Sequence, residues 1–131
     1  MESAVQNACI LVVDDEENAR EGLSKILSKE GYCVEMAANG KEAIESIRRQ
    51  NFDLVITDMR MPLMDGFEVL REIKKTKENV GVIMITAFGE VESYLEAMNL
   101  GAFEYINKPV RVNELKRVIT KVLEETRKKV S

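Results

Sequence analysis

The side chains with chemical potential in this chain fall in four places: the acidic run Asp14-Asp15-Glu16-Glu17, the aspartate Asp58, the threonine Thr86 and the dipeptide Lys108-Pro109. Carboxylates brought within a few ångströms of one another share protons or recruit a cation. An all-oxygen set suits Mg²⁺, which takes one or two carboxylates and keeps several waters. Asp14 or Asp15, together with Asp58, would hold such an ion. A carboxylate can also attack phosphorus to give an acyl phosphate. The transition state then needs positive charge on the equatorial oxygens, which Mg²⁺ and the Lys108 ammonium can supply, with the Thr86 hydroxyl on the same rim. The set reads as a phosphoryl-transfer site with Asp58 as its nucleophile.

What is missing narrows the chemistry as much as what is present. With no histidine in the chain, the commonest general base, the Ser-His-Asp and Cys-His nucleophile systems and the histidine-containing zinc sites all fall away. No GxGxxG or GxxxxGK[ST] occurs, and acids after the first strand would repel a phosphate, so a dinucleotide or flavin site is not expected. The formal charge of −4 has the wrong sign for a domain that neutralises nucleic-acid phosphates, so no direct nucleic-acid binding is expected. Cys9 and Cys33 stand at the starts of apolar runs and read as small buried hydrophobes in a reducing compartment. The N-terminus lacks a basic region, and no apolar run approaches the roughly 20 residues that span a bilayer. The expected location is the cytoplasm, with no membrane partner.

These residues need a scaffold that delivers them to one place. At 131 residues, 45% hydrophobic and 32% charged, the chain fits one domain with its own core, expected over residues 1–131 with the core at about 8–128. Short apolar runs alternate with stretches of helical period, the pattern of βα repeats. The expected strands are 9–13, 34–38, 54–57, 82–86 and 103–106. The first helix should start near Glu17, bury Leu23, Ile26 and Leu27, and stop at Gly31. The second should be capped by Asn39 and bury Ala43, Ile44 and Ile47. Leu70 and Ile73 mark the third. Val91, Leu95 and Met98 mark the fourth, which ends near Gly101, and Leu115, Val118, Ile119, Val122 and Leu123 mark the fifth. Strands 1, 3 and 4 are continuously apolar and therefore central, whereas strands 2 and 5 interleave acids and belong at the edges. Right-handed crossovers then favour the order 2-1-3-4-5, a doubly wound, flavodoxin-like (βα)5 parallel sheet whose ligand site lies beyond the strand ends at the strand 1/strand 3 switch point. The acidic run ends strand 1 and Asp58 ends strand 3.

From about residue 8 to 128 the chain resembles the receiver domains of two-component response regulators. The resemblance rests on LVVDDEE after strand 1, on Asp58-Met59-Arg60-Met61-Pro62 and Met64-Asp65-Gly66 after strand 3, on Thr86-Ala87 after strand 4 and on Lys108-Pro109 after strand 5. It implies that a partner phosphohistidine, on a sensor histidine kinase or a histidine phosphotransfer protein, donates its phosphoryl group to Asp58. It further implies Mg²⁺ held by Asp15, Asp58 and the main-chain carbonyl of Arg60, with Asp14 supporting the metal through its water. Thr86 and Tyr105 then act as switch residues that couple the site to the helix 4/strand 5/helix 5 face, and Lys108-Pro109 forms a cis peptide. The stretch TAFGEVESYLEAMNLGAFEYINKPV resembles receivers of sigma-54 activators of the nitrogen-regulator type, which act in transcription regulation and carry an effector domain downstream.

Further expectations concern the surroundings of the site. Bulky Arg60 and Phe88 flank the approach of water to phosphorus and predict slow self-dephosphorylation, so the chain is a phosphoacceptor and not a turnover enzyme. Tyr94 and Leu95 with edge strand 5 are candidates for a phosphorylation-dependent homodimer face. Gly66 is read as serving turn geometry, and Arg71, Lys74, Lys75 and Lys77 as a solvated helix face. Two other function classes stay open. A phosphohydrolase with an aspartyl-phosphate intermediate would carry D-x-D after strand 1 and a cap, and would turn over a phenyl phosphate ester. A receiver-like docking module that is never phosphorylated would have no need of the acids, the threonine and the lysine together.

Overall fold

Five aliphatic runs form the strands β1 (Cys9–Val13), β2 (Cys33–Ala37), β3 (Leu54–Asp58), β4 (Gly81–Thr86) and β5 (Glu104–Asn107). Each is followed by a helix: α1 (Glu17–Lys29), α2 (Gly40–Arg49), α3 (Gly66–Thr76), α4 (Val91–Asn99) and α5 (Val112–Val130). The structure is a computed structural model and describes residues 8–77, 79–87 and 91–130. All strand pairings are parallel, in the order β2-β1-β3-β4-β5. This is the doubly wound, flavodoxin-like arrangement expected from the alternation of apolar and amphipathic segments.

Alternation along the central strands divides the core in two. Leu11, Val13, Val55 and Met84 face the side on which Ala43, Ile47, Leu70 and Ile73 of α2 and α3 pack. Ile10, Val12, Leu54, Ile56, Ile83 and Ile85 face the other side, against Leu27 of α1 and Leu115, Ile119 and Leu123 of α5. Because β1, β3 and β4 bury both faces, each carries an unbroken apolar run (10–13, 54–56, 82–85) before its C-terminal end, and β2, at the edge, need not.

The helix ends follow from local chemistry. Asn39 accepts the Glu42 N–H at 2.9 Å while the Glu42 carboxylate accepts the Ala38 N–H at 2.9 Å, so the first turn of α2 is held from both sides. Asp65 does the same for α3, accepting the Glu68 N–H at 3.0 Å. Gly31 and Gly101, at φ of 96° and 102°, carry the chain out of α1 and α4 through the left-handed region that glycine adopts without strain.

Several expectations shift. The β2 and β5 boundaries move by one residue. Leu23 and Ile26 are only half-buried, and Leu27 carries the α1 contact. In α4 the buried residue is Ala97, with Met98 and Leu100 beside it, whereas Leu95 is exposed and the Val91 side chain lies outside the described residues. Tyr94 and Leu95 lie on the outward side of α4, which buries Ala97 instead. Cys33 is also exposed, because it opens an edge strand at a point no helix covers. The basic residues of α3 are not simply solvated: Lys74 Nζ donates to the Val80 carbonyl at 3.1 Å, and Arg71 meets Glu96 at 3.4 Å. Among the described residues no helix is long and apolar enough to cross a membrane.

Candidate functional site

A parallel sheet delivers the C-terminal ends of all its strands to one rim, and the register decides what meets there. Val13 pairs with Thr57, so Asp14 and Asp58, one residue further on, stand side by side. Thr86 pairs with Asn107, which brings Lys108 to the same rim from the edge strand. The Lys108 N–H then donates to the Thr86 carbonyl at 2.7 Å, and the following Lys108-Pro109 peptide is cis.

Backbone contacts hold the acids in place. Asp14 is buried, and its Oδ1 accepts the Glu16 N–H at 2.9 Å. Its own N–H donates to the Ala37 carbonyl at 3.2 Å, and its carbonyl accepts from the Arg20 guanidinium at 2.9 Å. Glu16, at the start of α1, makes no side-chain cap, so capping does not account for the acidic run. Asp58 is half-buried, and its Oδ1 accepts the Arg60 N–H at 3.4 Å. The Lys108 ammonium lies 3.3 Å from Asp58 Oδ2 and 3.6 Å from Asp14 Oδ2. Asp15 is exposed at the lip, yet Asp14, Asp15 and Asp58 each offer a carboxylate oxygen within 4.8 Å of the others.

The electrostatics match this crowding. Burial pushes the Asp58 carboxyl above its ordinary range, Lys108 pulls it back, and Asp14 pushes it up again, with a net upward result. For Lys108, burial opposes the charge, but the Asp58 and Asp14 carboxylates outweigh it and hold the ammonium above its ordinary value. Two carboxylates face the ammonium and a third, Asp15, stands beside them at the lip, which leaves an excess of negative charge. Such a hard, all-oxygen set accommodates a divalent cation of the Mg²⁺ class.

The remaining predicted residues fall around this centre. Thr86 is fully buried at the end of β4. Arg60 is exposed in the loop after β3. Tyr105 points inward in this structure and is buried, with its hydroxyl 3.5 Å from the Met59 sulfur and its ring edge-on to Tyr94 at 5.8 Å between centroids. Phe88 lies outside the described residues. Gly66 has another role than the one expected: a Cβ there would come within 2.7 Å of the Asp58 carbonyl and 2.8 Å of Met59 Cα. The position demands close approach of two backbones, sealed by the Gly66 N–H donating to the Met59 carbonyl at 2.8 Å. Arg20 and Met59 were not singled out from the sequence. Nothing in spacing marks Arg20, which reaches back across the first turn of α1 to Asp14, whereas Met59, next to Asp58, could have been read as the apolar partner of a switch aromatic.

Comparison with known proteins gives a consistent picture. The family described as response regulator receiver domain matches residues 10–120. The chain is 39% identical to sporulation initiation phosphotransferase F of Bacillus subtilis over 91% of its own length and 96% of that protein's. It is 40% identical to transcriptional regulatory protein ZraR of Escherichia coli over 92% of its own length but only 27% of the relative's, so it spans about a quarter of that regulator. Among solved structures, response regulator TrrA of Thermotoga maritima in complex with Mg²⁺-BeF is 42% identical, with a TM-score of 0.80 over 88% of this chain and 98% of that one. The beryllofluoride-activated NtrC4 receiver domain dimer is 36% identical, with a TM-score of 0.86 over 90% of this chain and 98% of that one. The likeness to nitrogen-regulator receivers read from the α4–β5 stretch thus has a counterpart among these structures.

Proposed function

We propose, from the premise that this chain belongs to the response regulator receiver domain family, that it is a phosphoacceptor switch in which Asp58 takes a phosphoryl group from a phosphohistidine on a partner. One observation carries the reading: Asp14, Asp15 and Asp58 converge within 4.8 Å while the Lys108 ammonium stands 3.3 Å from Asp58. The donor must be another molecule or chain segment, because this chain has no histidine.

In the proposed transfer the ionised Asp58 oxygen attacks phosphorus in line with the departing imidazole nitrogen. The phosphorus–nitrogen bond breaks, and the electron pair stays with the imidazole. Asp15, Asp58 and the Arg60 carbonyl would hold Mg²⁺, with Asp14 supporting it through water. When bound, the ion supplies positive charge to the phosphoryl oxygens. Lys108 does the same from the other side and afterwards pairs with the phosphate, to which Thr86 supplies a hydroxyl donor. TrrA, a relative, is a complex with Mg²⁺-BeF, in keeping with this assignment.

An apolar groove of about 550 Å³ runs from Asp58 and Lys108 between α1 and the β5–α5 connection, past Ala19, Leu23, Ile26, Pro109 and Val110. It offers the donor protein a contact beside the reacting carboxylate. Output then passes through Thr86 and Tyr105 to the α4–β5–α5 face, where exposed Tyr94 and Leu95 can meet a second copy or a fused effector. The NtrC4 receiver, a relative, is a dimer in its activated form. Arg60 at the site mouth hinders the approach of water, so the acyl phosphate decays slowly and the chain does not turn over substrate.

Incubation with acetyl phosphate and Mg²⁺, followed by intact mass measurement, tests the assignment. One phosphoryl group per chain is expected, absent with a chelator and absent in Asp58→Asn. Folded wild-type protein that gains no mass would point to a docking module instead, and multiple turnover of a phenyl phosphate ester would point to a hydrolase.

A further inference from the structure

At the opposite end of the sheet from Asp58, β1 and β2 both begin with a cysteine, and Cys9 and Cys33 are direct partners in the parallel ladder. Partners in such a ladder project to the same face, and neighbouring strands lie about 4.8 Å apart. That spacing falls within the roughly 4.4–6.8 Å between Cα atoms that a disulfide spans without backbone movement. Both thiols are free.

The two differ in access. Cys33 lies exposed on the open edge of the sheet, whereas Cys9 is half-buried between β2 and β3. The Cys9 N–H donates to the Asp53 carboxylate at 2.8 Å. The neighbouring Cys33 side chain, burial and the nearby charges of Asp53 and Glu35 push the Cys9 thiol up to about 11, so it waits in the protonated form. An outward thiol that meets oxidant first, backed by a protected thiol directly opposite it in the ladder, has the layout of an attacking and a resolving cysteine.

We propose that Cys9 and Cys33 are a peroxide-sensitive dithiol that closes to an intrachain disulfide, tying edge strand β2 to central strand β1. The Cys33 sulfur attacks one oxygen of hydrogen peroxide, the O–O bond breaks, and the departing hydroxide leaves as water with the thiol proton. Cys33 is now a sulfenic acid. The Cys9 sulfur attacks it, the S–S bond forms, the S–O bond breaks, and the hydroxyl leaves with the Cys9 proton as a second water. Two thiols lose two electrons and the peroxide gains two. The bond would close the loop 9–33 far from the acidic rim.

The test is limited oxidation of the full chain with hydrogen peroxide, then alkylation, intact mass and non-reducing peptide mapping. The expected wild-type product has lost the mass of two hydrogens, takes up no alkylating agent, yields one peptide linked through Cys9 and Cys33, and reverts with a dithiol reductant. In Cys9→Ser, Cys33 should run on to the sulfinic acid, and in Cys33→Ser the Cys9 thiol should remain open to alkylation after denaturation. Cys33 sits on the surface, so Cys33→Ser keeps the comparison valid should Cys9→Ser misfold. Wild-type protein with Cys33 over-oxidised beside a free Cys9, or linked only to Cys33 of a second copy, would overturn the proposal.

Discussion

Asp58 is the residue at which chemistry and stability pull apart. Its carboxyl sits above the ordinary 3.8 because burial and the neighbouring Asp14 outweigh the help from Lys108. A carboxyl whose folded-state value is raised favours the fold in its protonated form. That contribution is complete below the unfolded value and is lost as pH rises through the folded one. Without a cation at neutral pH, the ionised Asp58 therefore weighs against the fold, and Lys108 would keep Asp14 as a partner at 3.6 Å if Asp58 were neutralised. Asp58→Asn should stabilise the metal-free protein by about 1 kcal/mol at pH 7. Urea denaturation in chelator measures this, and the gap from wild type should narrow toward pH 3. A variant that unfolds at lower urea than wild type would contradict the account.

At the scale of elements, the start of α3 is braced directly on the strand that carries Asp58. Gly66 allows this, since its missing Cβ is what lets the helix approach the Asp58 carbonyl. Gly66→Ala should cost about 1–3 kcal/mol by overpacking and also slow acetyl phosphate labelling, because the displaced backbone belongs to Asp58, the proposed acceptor. Asn39→Ala removes the cap of α2, whose side-chain bond goes to the Glu42 N–H and not to the acids, and should cost about 1 kcal/mol with the labelling rate unchanged. Stability by denaturation and labelling by intact mass, measured on both variants, separate the two roles. If Asn39→Ala slowed labelling as much as Gly66→Ala, the close approach at Gly66 would not be the cause.

At the scale of the molecule, hydrophobic burial in the sheet holds like charges together at one rim, and under the proposed assignment a divalent cation would offset the repulsion. Mg²⁺ that binds only the folded state should raise the thermal midpoint of wild type with concentration. The rise should be mostly lost in Asp15→Asn and Asp58→Asn. A midpoint insensitive to Mg²⁺ in wild type would remove the three aspartates from the metal assignment. The same sheet carries its second chemical feature, the cysteine pair, at the other end, so the two can be measured independently.

Much of this molecule is fixed by local pattern. Period-two and period-3.6 burial, Asn39 as a cap, and Gly31 and Gly101 as helix stops depend on a few neighbouring residues, so strand order and the residues of the acidic rim could be read in advance. The outward turn of α4, the exposure of Cys33 and its pairing with Cys9, the Arg20 clamp on Asp14, the inward position of Tyr105 against Met59 and the space reserved at Gly66 could not. Each depends on which surfaces meet across the sheet and how closely, a matter of packing between segments far apart in the chain. Which groups gather at the ends of β1, β3, β4 and β5 follows from the order of residues along the chain, because a parallel register leaves them no other place. How close those groups stand and which backbones hold them follows from helices packing on the sheet, which sets the distances between segments far apart in the chain.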